Sequence, residues 1–437
     1  MSSLLIHNAR IALPDGTLYE GAVRVQDGKI IEIDRDLSAG REEERINAQG
    51  HVLLPGAIDP QVHFREPGKE YKEDLATGSQ ACAKGGITAF LEMPNTVPTT
   101  TTLEALEDKL HRASQKSVVH YGFFIGATPD NIPVLQQATR TCGVKIFMGA
   151  STGDLLVDKF EDLERIFRDV DKLIAVHAED EARINARKAL FAGREEAQVH
   201  SELRDNQCAL LATQQAVALS QKYQRRLHIL HLSTKEEVDF LRQEKKPWIT
   251  CEVTPQHLFL DTSIYETLGS KAKMNPPIRS LEDRLAMMQG LQEGVIDLIA
   301  TDHAPHLLSE KEVPYSKAMA GMPGVETALP LMLTSVHRGE VRLQQVVHWM
   351  CEAPAQAYRI PNKGRIQVGW DADLVLVDLE NFKPVRREEL LSRCGWSPFE
   401  GWSLTGWPLV TIVAGQLAWK NGAIQPEVRG QELTFNA

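Results

Sequence analysis

Short apolar runs alternate with longer amphipathic stretches from about residue 52 to residue 360. The runs are 52–58, 87–91, 118–125, 144–148, 173–176, 227–232, 248–253 and 296–300. Between them, segments such as 103–113, 206–223, 235–243 and 281–291 carry helix formers, with apolar positions three and four apart. That spacing is the period of a helix buried along one side. Eight strand-then-helix units predict an α/β fold, a closed (β/α)8 TIM-type barrel. A doubly wound open sheet is the competing architecture. It lacks its usual mark, because no Gly-x-Gly-x-x-Gly follows the first long strand and no Walker-type lysine loop is present.

Both chain ends have a different rhythm. Leu4-Leu5-Ile6 runs to a Pro14-Asp15-Gly16 turn, and Ala22 to Val25 is followed by Asp27-Gly28 and then by Ile30 to Ile33. Near the other end, 373–377 and 409–413 alternate with turns such as Asn421-Gly422. These are hairpin signals. One small β-sandwich-like domain built from residues 1–53 and 361–437 would bury both ends, leaving 54–360 for the barrel.

Composition narrows the function classes. The chain has 437 residues and a formal net charge of −11, with no Lys/Arg run longer than two. A nucleic-acid footprint needs a clustered basic face, so no nucleic-acid partner is expected. No stretch approaches 18 apolar residues, and residues 1–10 have neither the basic start nor the apolar stretch of a secretory signal. No membrane association is expected. The six cysteines are scattered without a Cys-x-x-Cys pair, which predicts free thiols and a cytoplasmic protein.

In a (β/α)8 barrel, residues just past the strand ends share one open mouth. The first run leads into Asp59, Gln61, His63 and Arg65, and the second into Glu92 to Asn95. Lys145 lies inside the fourth, and the fifth gives His177. The sixth supplies His228 and His231, the seventh Cys251, Glu252 and His257, and the eighth Asp302, His303 and His306. One buried histidine is more often a core residue than a ligand. A series in register with successive strands is different, because packing alone does not require it. Imidazoles and carboxylates converging in a mouth suit Zn²⁺ or a similar divalent ion; a metal-free polar mouth for an organic ligand is the competing reading. Lys145 sits in an otherwise apolar strand, where an ammonium beside cations is disfavoured. Carboxylation by CO₂ would make it an anionic bridge between metals; an outward-pointing lysine at a strand edge is the alternative.

The blocks His63-Phe64-Arg65-Glu66-Pro67-Gly68, Met93-Pro94-Asn95, His177-Ala178-Glu179, His231-Leu232-Ser233-Thr234, Cys251-Glu252-Val253-Thr254-Pro255, Asn275-Pro276-Pro277 and Asp302-His303-Ala304-Pro305-His306, with Lys145, resemble the dihydroorotases. These are metal-dependent (β/α)8 enzymes of the amidohydrolase superfamily, and the resemblance spans essentially the whole chain. It implies that His63 and Asp302 serve a more buried zinc, His177 and His231 a second, and N-carboxylated Lys145 bridges both. It implies that Arg65, Asn95 and His306 hold the substrate α-carboxylate, and that Asn275 and the backbone at Gly321 touch the pyrimidine ring edge. The implied reaction is reversible closure of N-carbamoyl-L-aspartate to L-dihydroorotate and water. A hydroxide made at the metal attacks the ring carbonyl in the opening direction, and Asp302 is general base and acid.

One position departs from the family pattern. Gln61-Val62-His63 stands where the family has His-x-His, so Gln61 replaces the first metal histidine. An amide oxygen is a poorer zinc ligand than imidazole, which predicts one or two zinc ions per chain and a weakened buried site. A hydantoinase- or allantoinase-type cyclic amidohydrolase is the first alternative; its carboxylate-free ring has no need of Arg65 and Asn95. A catalytically impaired paralogue assembling with a partner enzyme is the second. A homo-oligomer and an assembly with another pyrimidine-pathway enzyme both stay open. The charge runs 69–74, 310–312 and 386–389 read as solvated faces, His200 and Arg204 as structural hydrogen-bonding residues, and 307–320 as a mobile loop over the mouth.

Overall fold

The computed structural model describes residues 3–40, 43–149 and 155–436. Eight parallel strands form a barrel: Ala57–Val62, Ile87–Glu92, His120–Phe123 continuing as Ile125–Gly126, Val144–Phe147, Ile174–His177, Leu227–Ile229, Ile249–Val253 and Leu298–Ile299. Each pairs with the next in parallel register. The third strand is interrupted at Phe124, so its first part pairs backward to the second strand and its last residues pair forward to the fourth. A bridge between Val62 and His303 and the bond from His63 N–H to His303 O (2.8 Å) close the ring. Every apolar run read from the sequence contributes one of these strands.

The chain ends build a second sheet of nine strands. Its hydrogen bonding is continuous from Ala423–Ile424 at one edge to Lys29–Asp34 at the other. The strand Val52–Pro55 lies within it, parallel to Ser3–Ala12 and antiparallel to Leu374–Asp378. The expected first barrel run therefore splits in two. Residues 52–55 belong to the end sheet, and the barrel begins at Ala57. The alternation of a strand explains the split: Val52 and Leu54 pack into the large cluster beneath the barrel helices, while Leu53 faces the core of the end sheet. One short strand is the seam between both hydrophobic cores.

The last residues return to the barrel. Tyr121 bridges Glu432, and Leu433 N–H donates to Tyr121 O (2.9 Å). Leu433 packs with Ile58, Ala89, Leu91, Leu230 and Tyr358. Among the described residues, no helix is long and apolar enough to cross a membrane. All six cysteines are free and buried.

Candidate active site at the barrel mouth

The eleven residues singled out above, Gln61, His63, Arg65, Asn95, Lys145, His177, His231, Asn275, Asp302, His306 and Gly321, all line one cavity of about 140 Å³. Gln61 is in the first strand, with His63 and Arg65 just beyond it. Lys145 and Phe147 share one face of the fourth strand, and the Lys145 ammonium lies 4.5 Å from the Phe147 ring centre. His177 ends the fifth strand; His231 and Asp302 follow the sixth and eighth. Helix caps fix the turns behind these side chains. Thr234 opens Lys235–Glu244, its hydroxyl accepting from Glu237 N–H (3.2 Å) while the Glu237 carboxylate accepts from Thr234 N–H (3.1 Å). This reciprocal pair satisfies end-of-helix donors three residues past His231. Asp180 caps the helix behind His177 with a single bond, accepting from Arg183 N–H (2.7 Å). Arg65, His231 and Asp302 have φ of 64°, 38° and 46°, a left-handed backbone that side chains rarely adopt and that is concentrated at functional sites.

One wall is a pair of imidazoles. His177 Nδ1 and His231 Nε2 face each other at 3.0 Å. The other nitrogen of His177 lies 3.0 Å from Glu179, and Arg204 grips both Glu179 oxygens (3.1 and 2.6 Å). Burial alone would raise the Glu179 pKa, but Arg204 and His177 outweigh it and hold the carboxyl well below its usual range. Its carboxylate therefore takes the Nε2 hydrogen and leaves Nδ1 of His177 with a bare lone pair. Desolvation lowers the pKa of both histidines, so both are neutral. Two nitrogens bound to one divalent ion at about 2.1 Å each lie about 3.0–3.4 Å apart, the separation seen here. Lys145 completes the wall. It is 1% exposed, its Nζ has no hydrogen-bond partner among the described residues, and desolvation brings its pKa down to about 7 despite Asp302 and Glu252. A neutral amine at that pH is the form that CO₂ carboxylates. This side fits a cation.

The opposite wall is differently engaged. Gln61 Nε2 donates to Asp302 Oδ1 (3.0 Å), and His63 Nε2 lies 3.1 Å from the same oxygen. His63 Nδ1 is 2.6 Å from Asn95 Oδ1. Desolvation lowers the His63 pKa, with Asp302 opposing. Gln61 Oε1 is buried without a partner among the described residues, so the amide spends its donor on Asp302 and its acceptor on none of them. Among the described residues, no group of three or more His, Cys, Asp or Glu side chains forms a metal cage. No donor among them reaches Asp302 Oδ2.

The third wall is cationic. Arg65 Nε donates to Pro305 O (3.2 Å), and its Nη2 lies 3.2 Å from His306 Nε2. No carboxylate of the described residues is within ion-pair distance of this buried guanidinium. Desolvation lowers its pKa to about 10, still charged at neutral pH. Glu92 and Lys109 form a fully buried ion pair nearby, and Lys109 also donates to Met93 O (3.0 Å), anchoring the turn that carries Asn95. Asn275 is fixed from behind by His200 (2.8 Å to its Oδ1). Gly321 has φ 141°, and a Cβ there would come within 2.5 Å of Ala304 O.

Two of the charge runs are not the solvated faces expected of them. Lys72, Glu73 and Lys311 are 2%, 0% and 0% exposed. Lys72 lies 3.0 Å from His306 Nδ1 and 2.7 Å from Glu310. Lys311 donates to the carbonyls of Lys273, Met319 and Gly321 (2.7, 2.8 and 2.9 Å). That knot ties down the segment expected to be mobile, whose Met319 and Ala320 line the cavity. The position of 69–74, directly after the arginine past the first strand, was the available signal. Residues 386–389 are exposed as expected. His200 and Arg204 have the hydrogen-bonding roles read for them.

Comparison with known proteins agrees with this geometry. Residues 52–418 match the Amidohydrolase family. A dihydroorotase of Methanosarcina acetivorans is 39% identical, covering 99% of this chain and 96% of its own. One of Bacillus subtilis is 36% identical over 97% of this chain and 99% of its own. Among solved structures, L-hydantoinase (dihydropyrimidinase) from Arthrobacter aurescens superposes with a TM-score of 0.94 at 32% identity, covering 99% of this chain and 100% of that one. The chain belongs to the amidohydrolase family, alongside the dihydroorotases that match it from end to end.

Proposed function

We propose that this protein is a dihydroorotase, closing N-carbamoyl-L-aspartate to L-dihydroorotate with release of water and catalysing the reverse. The observation that carries the reading is Arg65: a buried guanidinium, lining the cavity, with no carboxylate among the described residues to pair with. A planar fork of donors matches a substrate carboxylate. Asn95 and His306 flank the position, and Asn275 and the Gly321 backbone border the ring. In the closing direction a C–N bond forms between the carbamoyl nitrogen and the side-chain carboxyl carbon, and a C–O bond breaks. Asp302 takes the proton from that nitrogen through Oδ2 and returns it to the departing oxygen, which draws a second proton from solvent and leaves as water. Gln61 and His63 hold the other Asp302 oxygen and keep the carboxylate aimed.

His177, His231 and Lys145, the last as its carbamate, are the residues that would hold a divalent ion, zinc by donor chemistry. Such an ion would polarise the reacting carbonyl and lower the pKa of water. Because Gln61 is committed to Asp302, one ion per chain is the expected number. Six buried free thiols support a reducing, cytoplasmic setting.

The hydantoinase-like superposition favours a second reading, hydrolysis of a carboxylate-free cyclic amide. It leaves Arg65 unpaired in the bound state, which is costly for a buried charge. The test is a direct competition. Protein with its metal counted is assayed with carbamoyl-aspartate, dihydroorotate, dihydrouracil and hydantoin. Turnover of the first two alone is expected. Turnover of the carboxylate-free rings instead establishes the second reading, and metal-loaded protein inert to all four is the impaired paralogue.

A further inference from the structure

We propose that Lys72 positions the carboxylate pocket by fixing which nitrogen of His306 carries the hydrogen. The proposal rests on the dihydroorotase reading only for the identity of the anion. Lys72 does not line the cavity; it stands behind the histidine that does. Its Nζ reaches His306 Nδ1 at 3.0 Å. An ammonium has donors and no acceptor, so Nδ1 must present its lone pair. Desolvation lowers the Lys72 pKa, and Glu310, 2.7 Å from the same Nζ, opposes that shift and favours the ammonium. His306 is neutral: desolvation, and then Arg65, Lys72 and Lys311, keep its pKa far below the usual value. The ring's one hydrogen is thereby assigned to Nε2.

Nε2 faces the cavity side. It lies 3.1 Å from Ala320 O and 3.2 Å from Arg65 Nη2. As a donor, Nε2 gives its one hydrogen to Ala320 O and accepts nothing from Arg65 Nη2, so the Arg65 fork keeps its hydrogens for an anion bound in the place beside it. The other tautomer would turn Nε2 into an acceptor, occupy the Arg65 fork and remove that place. Trp396 Nε1 donates to His306 O (2.8 Å), so the backbone is fixed separately and Lys72 acts on the ring. The ion pair with Glu310 offers a purely structural account of Lys72. It does not explain why the ammonium also contacts an imidazole nitrogen.

Two measurements test this. Long-range ¹H–¹⁵N spectra of the ligand-free protein labelled in histidine read the tautomer, with His306→Gln identifying the signal. Nε2–H is expected in the unmodified protein, and Nδ1–H there overturns the proposal whether or not any variant folds. In kinetics, Lys72→Met is expected to raise KM for carbamoyl-aspartate about tenfold or more, the scale of a lost charge-assisted bond, with kcat within about twofold. Glu310→Gln weakens the ion pair but keeps the lysine and its contact to His306, and should raise KM less than Lys72→Met does. If both variants lower Tm alike and neither moves KM, Lys72 is only a structural partner of Glu310. An unmodified protein that leaves carbamoyl-aspartate untouched defeats the reaction assigned above, while the tautomer still decides the role of Lys72.

Discussion

Gln61 changes the working life of Asp302. An imidazole at that position would aim a lone pair at a metal; the amide aims a donor at the carboxylate (3.0 Å) instead. Gln61→His is therefore expected to raise metal content from about one toward two ions per chain by elemental analysis, since imidazole is the better zinc ligand. Unchanged stoichiometry would show that some other residue limits the second site. Arg65→Gln should raise KM for carbamoyl-aspartate by about 10- to 100-fold, the cost of a charge-assisted fork to a carboxylate. An unchanged KM would remove the carboxylate from Arg65. At this scale the site was legible in the sequence because metal-type and anion-type residues recur just past successive strands, a register that packing does not demand. What stayed hidden has a physical cause. Lys72, Glu73 and Lys311 sit in runs of mixed charge, and in one dimension such a run cannot be told from a solvated face. Their burial comes from segments distant in sequence: Glu310 for Lys72, Ser392 and Arg393 for Glu73.

The strap from the eighth strand to Gly321 shows what an element contributes beyond its side chains. Lys311 gathers three carbonyls, one of them from Gly321 itself, so the rim of the cavity is set by backbone held from below. Gly321 allows this because its φ of 141° and the 2.5 Å approach to Ala304 O leave no room for a Cβ. Gly321→Ala is expected to lower kcat/KM about tenfold or more and to cost about 1–3 kcal/mol of stability, in line with strained glycine positions. Thermal melts alongside kinetics check it, and a variant with unaltered kinetics would place the rim outside the binding surface. Elements were easier to read than their boundaries. The helices 206–223 and 235–244 follow from a sustained apolar period over several turns. The run 52–58 reads as one strand, with the domain boundary drawn through it after residue 53, because three consecutive apolar residues carry no sign of which neighbour each will face. Only the assembled fold separates Leu53 from Val52 and Leu54.

Across the whole molecule, barrel and end sheet are joined by a buried charge cluster. Asp373 Oδ1 accepts from Ala414 N–H (2.8 Å) and lies 3.0 Å from His120 Nε2, and Lys363 contacts the other oxygen. Burial alone would raise the Asp373 pKa, but His120 and Lys363 outweigh it and depress the pKa strongly. The unfolded value is about 3.9. A depressed folded pKa adds stability that is complete above the unfolded value and is lost as pH falls through the folded one. Asp373→Asn should therefore cost about 3–5 kcal/mol near neutrality, the scale of a broken buried pair. The gap to the unmodified protein should narrow below about pH 4. Denaturant midpoints measured at pH 7 and at about pH 3, below the unfolded pKa, check it; a gap that widens in acid would contradict the sign.

The seam strand has a consequence for synthesis. Leu54 pairs with Val375, more than 300 positions later in the chain. A ribosome adding about 5–20 residues per second needs roughly 15 to 60 seconds between the two. Throughout that interval the emerging N-terminal hairpin carries an open, apolar flank with no partner of its own, the kind of edge that neighbouring nascent chains adopt. Guarding it falls to whatever folding helpers meet the polypeptide at the exit tunnel, and slowing translation between the two segments lengthens the exposure without altering the finished protein.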